Sequence, residues 1–449
     1  MFARSARRIV AVLGLLALCA PQQSHEVIAA PTQCNARQQV TFLTAGDAAS
    51  QSGVVAVACA TSKVRGLMPH APINVRMLDT NALRNQITQI TQAQVAAEPL
   101  VGISTTLQLL GALGPKQDLA AIDRSQYNVN SAADYDIRTK TLYVRGSKAA
   151  FTPLDRAIIA HEYTRALQDQ YFGLAGLLSN GADPISHNSD ALLAREAVVE
   201  GDAFTTMLNF TLTFSRQDQV LFNQQLQRSS PAASDFAHDR IGFPASQGTN
   251  FVKYIMAAAA KGKKGTAATV AGLTAVNHAL ANPPSTTRAV LNPAIYLQHS
   301  EGNTTQAVPE VPIGQNWQEI ESDVLGAFGI NDLLTQHNTP AALTRAANDA
   351  TNAWQGDRWV VYQHGASLML IWRVHFSSTS GAQAFQRALL AFTGTRFRTT
   401  LSALAPMDWR TTGFAISIRS HGADVALAIG SSGDLLATCT RSVNLLGFQ

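Results

Sequence analysis

One helical stretch carries residues whose types and spacing could do chemistry. His161 is followed directly by Glu162, and Arg165 stands four residues after the histidine. Because four residues make slightly more than one helical turn, His161, Arg165 and Asp169 fall in a row on one face. In the pattern His-Glu-x-x-His, two imidazoles one turn apart hold Zn²⁺, and the glutamate is the general base for the metal-bound water. Here the second imidazole position is an arginine.

The start of this helix is marked in the sequence. Thr152 precedes Pro153, and Asp155 follows three positions after the threonine. A threonine N-cap, a proline at the first helical position and an acidic residue two positions further on are signals of a helix N-terminus. We therefore predict a helix over the stretch 152–169.

A second helical pattern follows after a loop rich in glycine, asparagine, aspartate and proline. It runs from Ala191 to Glu200 and puts Glu196 and Glu200 on one face. Taken by themselves, a solvated acidic face and a partly buried histidine with a hydrogen-bond partner are simpler explanations of the two helices than a metal site.

The segment Ala160-His-Glu-Tyr-Thr-Arg-Ala-Leu-Gln-Asp-Gln-Tyr-Phe172 resembles the motif of a family of exported bacterial proteins. That motif reads His-Glu-(Leu/Tyr)-Thr-His-Ala-Leu-Gln-Asp-Gln, in the manner of gluzincin metallopeptidases. Further segments similar to motifs of this family are Ala133–Val144, Glu200–Ala203, Phe243–Val252 and Pro283–Pro293.

The resemblance implies an α+β, zincin-like fold, with a mainly helical peptidase-type domain and an edge strand. It implies that His161 and Glu200 are metal ligands and that Glu162 is the catalytic base. Glu196 or Asp202 would orient the ligands through hydrogen bonds. If the resemblance is sound, the carboxylate of Glu200 should meet the helix face that carries His161.

One strand has two interpretations within this resemblance. The alternating residues Leu142–Arg145 predict a strand directly before the central helix. As an edge strand it could hold an extended peptide by main-chain pairing. The other interpretation is an ordinary strand inside a sheet.

The chain departs from the family pattern in the strand segment 133–144, which lacks the family's glycine and proline, and at three positions that bear on the site. Arg165 replaces the second histidine, and Arg288 and Asn292 stand where the family carries glutamate and histidine. A guanidinium about 4 Å from Zn²⁺ would be repelled by about 8 kcal/mol at an effective dielectric near 20. A fixed cation could instead neutralise Glu200 and Asp169, so that ion pairs replace the metal. We therefore expect zinc to bind weakly or not at all.

The function expected from these residues is that of a degenerate metallopeptidase relative whose cleft still binds a peptide or protein. One alternative is an active zinc hydrolase in which His161, Glu200 and a substitute such as His187 hold the metal. His187 lies in the loop between the helices, where a plain surface histidine is the other explanation. A second alternative is a binding or interaction protein of the cell envelope.

The N-terminus has the layout of a secretion signal. Arg4, Arg7 and Arg8 precede the apolar run Ile9–Ala20, which is short for a membrane span. The alternatives are a retained helical anchor and lipidation at Cys19, although Leu18 is bulky for a lipoprotein signal. We expect an extracellular or cell-envelope protein without a membrane span after the signal.

Cysteines and charge agree with export. Cys34, Cys59 and Cys439 would remain after signal removal, and Cys34 with Cys59 is the preferred disulfide. The net charge is +4 over 449 residues. Residues 1–30 hold three arginines and one glutamate, so the remainder carries 4 − 2 = +2. This small charge provides no argument for a nucleic-acid partner.

The domain organisation follows from changes in residue pattern. We predict a signal peptide over 1–30, a poorly structured N-terminal extension over 31–65 and the gluzincin-like domain over 66–335. From 346 to 449, alternating strands and one helix over 381–392 predict a small α+β domain.

Overall fold

Two sheets, each with its own helices, organise the chain. The computed structural model describes residues 35–44, 46–96, 100–114, 116–125, 131–146, 150–179, 186–227, 236–301, 316–335, 341–397, 407–410, 413–445 and 447. The predicted signal peptide and its lipidation site lie outside the described residues. Both helices and sheets contribute to the cores, so the predicted α+β class is confirmed.

The first unit is mainly helical. Its strands are β1 (Val40–Phe42), β2 (Ile73–Leu78), β3 (Ala133–Asp136) and β4 (Thr141–Arg145). Its helices are α1 (Ala36–Gln39), α2 (Ala48–Arg65), α3 (Thr80–Ala96), α4 (Leu100–Leu110), α5 (Leu119–Ser125), α6 (Pro153–Phe172), α7 (Leu174–Leu177), α8 (Ser189–Thr211), α9 (Arg216–Gln227), α10 (Phe236–Ala260), α11 (Gly265–Ala281), α12 (Thr287–Leu291) and α13 (Pro293–Leu297).

The first sheet has the strand order β1-β2-β4-β3. β1, β2 and β4 run parallel, and β3 pairs antiparallel with β4. The predicted strand 142–145 is thus β4, an internal strand, so the interpretation as an ordinary strand inside a sheet is confirmed and the edge interpretation is wrong. β3 takes the outer position beside α6.

The central helix forms as its local signals predict. Thr152 caps α6, and its side chain and that of Asp155 form a reciprocal capping box with the backbone. Gly173 ends the helix in the left-handed conformation that glycine adopts without strain. Its first-turn proline lacks the N–H that would be unsatisfied there in any case.

Residues 35–44 and 46–65 belong to the first unit instead of forming an unstructured extension. β1 pairs with β2, and α2 buries Val54, Val57 and Ala58 in the same apolar core as α6 and α8. Cys59, also on α2, is disulfide-bonded. Cys34 lies outside the described residues, so its pairing with Cys59 stays a prediction, and Cys439 is a free, buried thiol.

The second unit is built on an antiparallel sheet of order β5-β6-β7-β10-β9-β8. Its elements are β5 (Gln318–Asp323), α14 (Gly326–Thr335), α15 (Ala341–Ala353), β6 (Trp354–His364), β7 (Ser367–Phe376), α16 (Thr379–Phe397), β8 (Met407–Arg410), β9 (Ala415–His421), β10 (Asp424–Gly430), a 3₁₀ turn (Gly433–Leu435) and α17 (Leu436–Leu445). α14, α15 and α16 pack on one face of the sheet, and α17 covers part of the other.

The second unit begins earlier in the chain than predicted. β5 pairs with β6, and α14 shares a core with α15 and α16, so residues 318–335 belong to this sheet and its helices. α4 and α5, from the N-terminal half, also contribute apolar side chains to this core. The alternating strands predicted after residue 346 are confirmed as β6, β7, β9 and β10, and the helix predicted over 381–392 is confirmed as part of α16.

The two units meet at the N-terminus of α8. Asp323, at the end of β5, accepts a hydrogen bond from the backbone N–H of Ser189 at 2.6 Å. Asp190, in the first turn of α8, accepts a hydrogen bond from the Thr287 hydroxyl. Gly326 lies so close that an added Cβ would be 1.7 Å from Asp190 Oδ1. The second unit therefore holds the helix that carries Glu200.

No helix in the described part of the chain combines the length and the apolar character needed to cross a membrane.

Candidate functional site

The packing of α6 against α8 brings the predicted site residues together. Arg165 Nη1 donates a hydrogen bond to Glu200 Oε1, and His161 Nε2 lies 3.4 Å from Glu200 Oε2. This contact confirms the prediction that Glu200 approaches the face of α6 carrying His161. All three side chains are buried, with exposed fractions of 0% for His161, 1% for Arg165 and 3% for Glu200.

Glu162 faces the same buried space. Its Oε2 accepts the backbone N–H of Tyr135 at 3.1 Å and lies 3.9 Å from Arg165 Nε. The edge strand β3 therefore supplies a main-chain donor to the residue that the motif assigns as catalytic base. Its own exposed fraction is 0%, so this carboxylate has no open path to solvent in this conformation.

The charge of Arg165 depends on two opposing effects, burial and the surrounding carboxylates. Burial by itself lowers the pKa of the guanidinium, but the carboxylates of Glu200, Glu162, Asp134 and Glu196 together raise that pKa above its ordinary value. A buried cation is stable only when it is paired with opposite charge. The arginine is thus a fixed positive charge at the centre of an acidic cluster.

Asp134, on β3, is a member of this cluster that the sequence did not reveal. Burial raises the pKa of Asp134 well above its ordinary value, and the charge of Glu162 raises it further while Arg165 lowers it. Four carboxyl groups surround one guanidinium, so they cannot all be charged at moderate cost. Burial and the neighbouring carboxylates therefore favour the protonated form of Asp134. The available signal was the alternation of Asp134 and Asp136 with Ala133 and Tyr135 in this short strand.

His161 packs against an aromatic ring on one side and lies beside the Glu200 carboxylate. Its ring makes an edge contact with Phe204, with centroids 4.7 Å apart. Neither ring nitrogen makes a hydrogen bond to the described residues. Buried imidazole nitrogens usually have a partner, so this residue lacks the satisfied hydrogen bond that a purely structural histidine would have.

Asp169 is placed differently from the prediction. It accepts a hydrogen bond from the Tyr135 hydroxyl at 2.9 Å and from the backbone N–H of Leu174 at 2.9 Å. The expected neutralisation of Asp169 by Arg165 is replaced by these two donors, while the Arg165 guanidinium is paired with Glu200 on α8. Tyr135 thus connects β3 to α6 at two positions, through its backbone N–H to Glu162 and through its hydroxyl to Asp169.

Asp202 also differs from its predicted role as a partner of the ligands. It forms a buried ion pair with Arg65 at 2.8 Å and accepts a hydrogen bond from Gln168 Nε2 at 2.8 Å. These contacts join α2, α6 and α8. Glu196 remains near the site, since its carboxylate acts on the charge of Arg165.

His187 lies against the second unit. Its Nε2 is 3.4 Å from Glu321 Oε1, and its backbone N–H donates to the carbonyl of Ser322 at 2.9 Å. It is buried, which contradicts the surface-loop explanation. These contacts direct the imidazole to β5 and give no support to a ligand role beside His161.

Two further departures from the family pattern lie near the junction. Arg288 donates to the backbone carbonyl of Asn352 at 3.2 Å, and partial burial lowers the pKa of its guanidinium. Asn292 ends α12 and precedes Pro293, the first residue of α13. Arg288 thus contacts α15 of the second unit, and Asn292 is an exposed residue between two short helices.

The residues at the cluster do not fit a zinc ion as they stand. Two atoms bound to tetrahedral zinc at about 2.0–2.1 Å are about 3.4 Å apart, which matches the separation of His161 Nε2 and Glu200 Oε2. However, the Glu200 carboxylate is already paired with the Arg165 guanidinium. Within the described ranges, no group of three histidine, cysteine or acidic residues has the geometry of a metal site.

Comparison with known proteins concerns the second unit. Residues 313–439 are similar to a family described as a domain of unknown function (DUF8575). No curated protein matches the chain. No solved structure matches it either. The matched residues start just before β5, in agreement with the observed beginning of the second sheet.

Proposed function

We propose that this chain is an exported, zincin-like relative of metallopeptidases in which a buried ion pair has replaced the zinc. The observation that carries the proposal is the contact between Arg165 and Glu200, one helical turn from His161. A guanidinium there supplies the positive charge that the acidic side chains need. The chain would then keep the fold of a peptidase family without hydrolysing peptides.

The energetics favour the cation over a metal. A divalent ion placed about 4 Å from the guanidinium would be repelled by about 8 kcal/mol at an effective dielectric near 20. A structural zinc site with all its ligands binds with about 10–16 kcal/mol. Loss of the second imidazole and this repulsion together remove most of the driving force for zinc binding.

The ion pair then has a structural role. It joins α6 to α8 at the centre of the first unit, where Arg165 and Glu200 are almost fully buried. Arg165 and Glu200 do not line the peptide-binding cleft expected from the resemblance, because the surrounding residues cover both side chains. A role in binding would use another surface of the molecule.

The second candidate is an active zinc hydrolase. It is favoured by the ring nitrogens of His161, which make no hydrogen bond to the described residues. It is also favoured by the distance of 3.4 Å between His161 Nε2 and Glu200 Oε2, which suits two ligands of one metal. It requires Arg165 to leave Glu200 and a further ligand to enter. His187 would have to give up Glu321 to serve in that role.

The experiment is metal analysis of the wild type and Arg165→His after dialysis against a weak chelator. We expect no stoichiometric zinc in the wild type and about one equivalent in the variant, because the change restores a second imidazole and removes the opposing charge. Zinc should also raise the melting temperature of the variant, since the ion binds only the folded state. The matched control is His161→Ala in the Arg165→His background, which should lose the metal.

The outcomes separate the two candidates. Stoichiometric zinc in the wild type would contradict the ion-pair proposal and favour the active hydrolase. Absence of zinc from both proteins would mean that His161 and Glu200 are no remnant of a metal site, and the likeness to peptidases would be limited to fold.

A further inference from the structure

A groove lies on the sheet face of the second unit that α17 partly covers. It has a volume of about 1050 Å³ and lies between α17, the preceding 3₁₀ turn and the outer strands β8 and β9. The residues that line it are Arg410, Arg419, Gly433, Asp434, Leu436, Ala437, Thr440, Arg441 and Asn444. It is remote in sequence from the acidic cluster around Arg165 and shares no residue with it.

Strand register explains why two of its arginines meet. Arg410 pairs with Ala415 on β9, and Asp408 pairs with Ser417. Because side chains alternate between the two faces of a strand, residues 415, 417 and 419 share the face on which Arg410 lies. Arg410 and Arg419 therefore project to the same side of the sheet, where α17 adds Arg441.

The three guanidinium groups differ in their partners. Arg419 donates to both carboxylate oxygens of Asp408, at 2.8 and 3.0 Å, and is held in place. Arg410 and Arg441 make no hydrogen bond or ion pair with the described residues, and both are exposed. Two arginines with free donor groups thus stand at a groove with one rigid arginine.

The rest of the lining suits a chain that is both acidic and apolar. Leu436 and Ala437 provide an apolar surface, while Asn444 can both donate to and accept from a main-chain amide. Asp434 is the acidic residue of the lining, so the cationic groups outnumber it. Guanidinium groups match carboxylates with two parallel hydrogen bonds.

We propose that this groove binds an acidic peptide segment in which carboxylate side chains alternate with apolar ones. The carboxylates would meet Arg410 and Arg441, the apolar side chains would cover Leu436 and Ala437, and the main chain would meet Asn444. A small inorganic anion would use the arginines and leave the apolar surface exposed. The groove is also larger than such an ion needs.

The test is isothermal titration of the purified full chain with a capped hexapeptide of alternating aspartate and leucine. Its control is the peptide with asparagine in place of each aspartate. We expect the acidic peptide to bind at least tenfold more tightly than the control, and more weakly as salt is added. The double variant Arg410→Gln, Arg441→Gln should lose about tenfold in affinity.

A matched control variant tests whether general charge explains the result. Arg387→Gln removes one exposed arginine from α16, on the opposite face of the same sheet, and should bind the peptide as the wild type does. Both variants change exposed side chains, and their urea midpoints should equal that of the wild type. Equal binding of the two peptides, equal loss in Arg387→Gln, pyrophosphate binding as tight as that of the acidic peptide, or no binding at all would each overturn the proposal.

Discussion

In the proposed function, Arg165 is the one residue that changes the chemistry of the site while its surroundings stay in place. At the position of a second imidazole it offers a cation that cannot be deprotonated and cannot ligate a metal. Its ion-pair partner is Glu200, the residue that the resemblance assigns as a metal ligand. The remaining carboxylates then keep a positive charge near them without any metal.

Loss of this cation should destabilise the protein strongly. Arg165→Met leaves Glu200 and Glu162 buried without their counter-charge, so we expect the free energy of unfolding to fall by about 3–5 kcal/mol at neutral pH. Urea unfolding followed by circular dichroism measures this change.

A double-mutant cycle is the control for this effect. Arg165→Met combined with Glu200→Gln should be less destabilised than the sum of the two single variants, because the second change removes the unpaired charge. Purely additive losses would contradict a direct interaction between the two side chains.

At the scale of elements, close helix packing decides where Glu200 lies. Gly201 on α8 and Gly248 on α10 let the two backbones touch, since a Cβ on Gly248 would be 1.9 Å from the carbonyl oxygen of Ala197. α8 is therefore wedged between α6 and α10, with one face toward each. A glycine without a neighbouring backbone at this distance would not fix the separation of two helices.

Gly248→Ala should separate these helices. The added methyl group meets backbone atoms that cannot rotate away, so we expect a loss of about 1–3 kcal/mol or more in unfolding free energy. Gly242→Ala, in the same helix, meets no atom within 4 Å and is the matched control. It should be neutral or stabilising by about 0.5–1 kcal/mol, because alanine is the better helix former. Chemical denaturation of both variants makes the comparison, and equal losses would contradict the packing argument.

At the scale of the whole molecule, the two units share a buried polar junction. Asp357 accepts hydrogen bonds from the indole N–H groups of Trp354 and Trp372, at 3.0 and 2.9 Å. It also accepts the backbone N–H groups of Leu325 and Gly326, next to Asp190. Because Asp190, Asp323 and Asp357 face one another in a buried space, their ionisation is costly.

This junction makes stability depend on pH. Burial raises the pKa of Asp190 to about 8, from 3.8 in an exposed chain, and Asp357 and Asp323 add to the effect. Between these values the folded protein holds a proton that the unfolded chain has released. The stabilisation that this proton on Asp190 gives the folded state is therefore complete below about pH 4 and is lost as the pH rises toward 8.

Asp190→Asn should remove this part of the pH dependence. The wild type should lose stability from pH 5 to pH 7, and the variant should show a slope that is shallower by up to about 1.4 kcal/mol per pH unit. Urea unfolding at pH 5, 6 and 7 measures both slopes. Asp349→Asn, at an exposed position on α15, should keep the wild-type slope. If stability changed with pH at the same rate in the wild type and in Asp190→Asn, folded Asp190 would not hold a proton in this pH range.

Local signals in the sequence determined much of the fold. The threonine cap, the proline and Asp155 place the start of α6, and period-two alternation places β6, β7, β9 and β10. These signals act between residues a few positions apart, so no distant contact is needed to interpret them. The resemblance to a peptidase family added the approach of Glu200 to His161, which the structure confirms.

Tertiary structure alone decided which buried charges share a space. Asp134 joins Arg165 because β3 pairs with β4 and packs on α6, and His187 meets Glu321 because β5 belongs to the second sheet. Asp169 takes Tyr135 and not Arg165 as its partner for the same reason. Such contacts depend on strand register and helix packing between segments far apart in the chain. Side-chain type and spacing describe one helix or strand at a time, so these patterns could not predict contacts between distant segments.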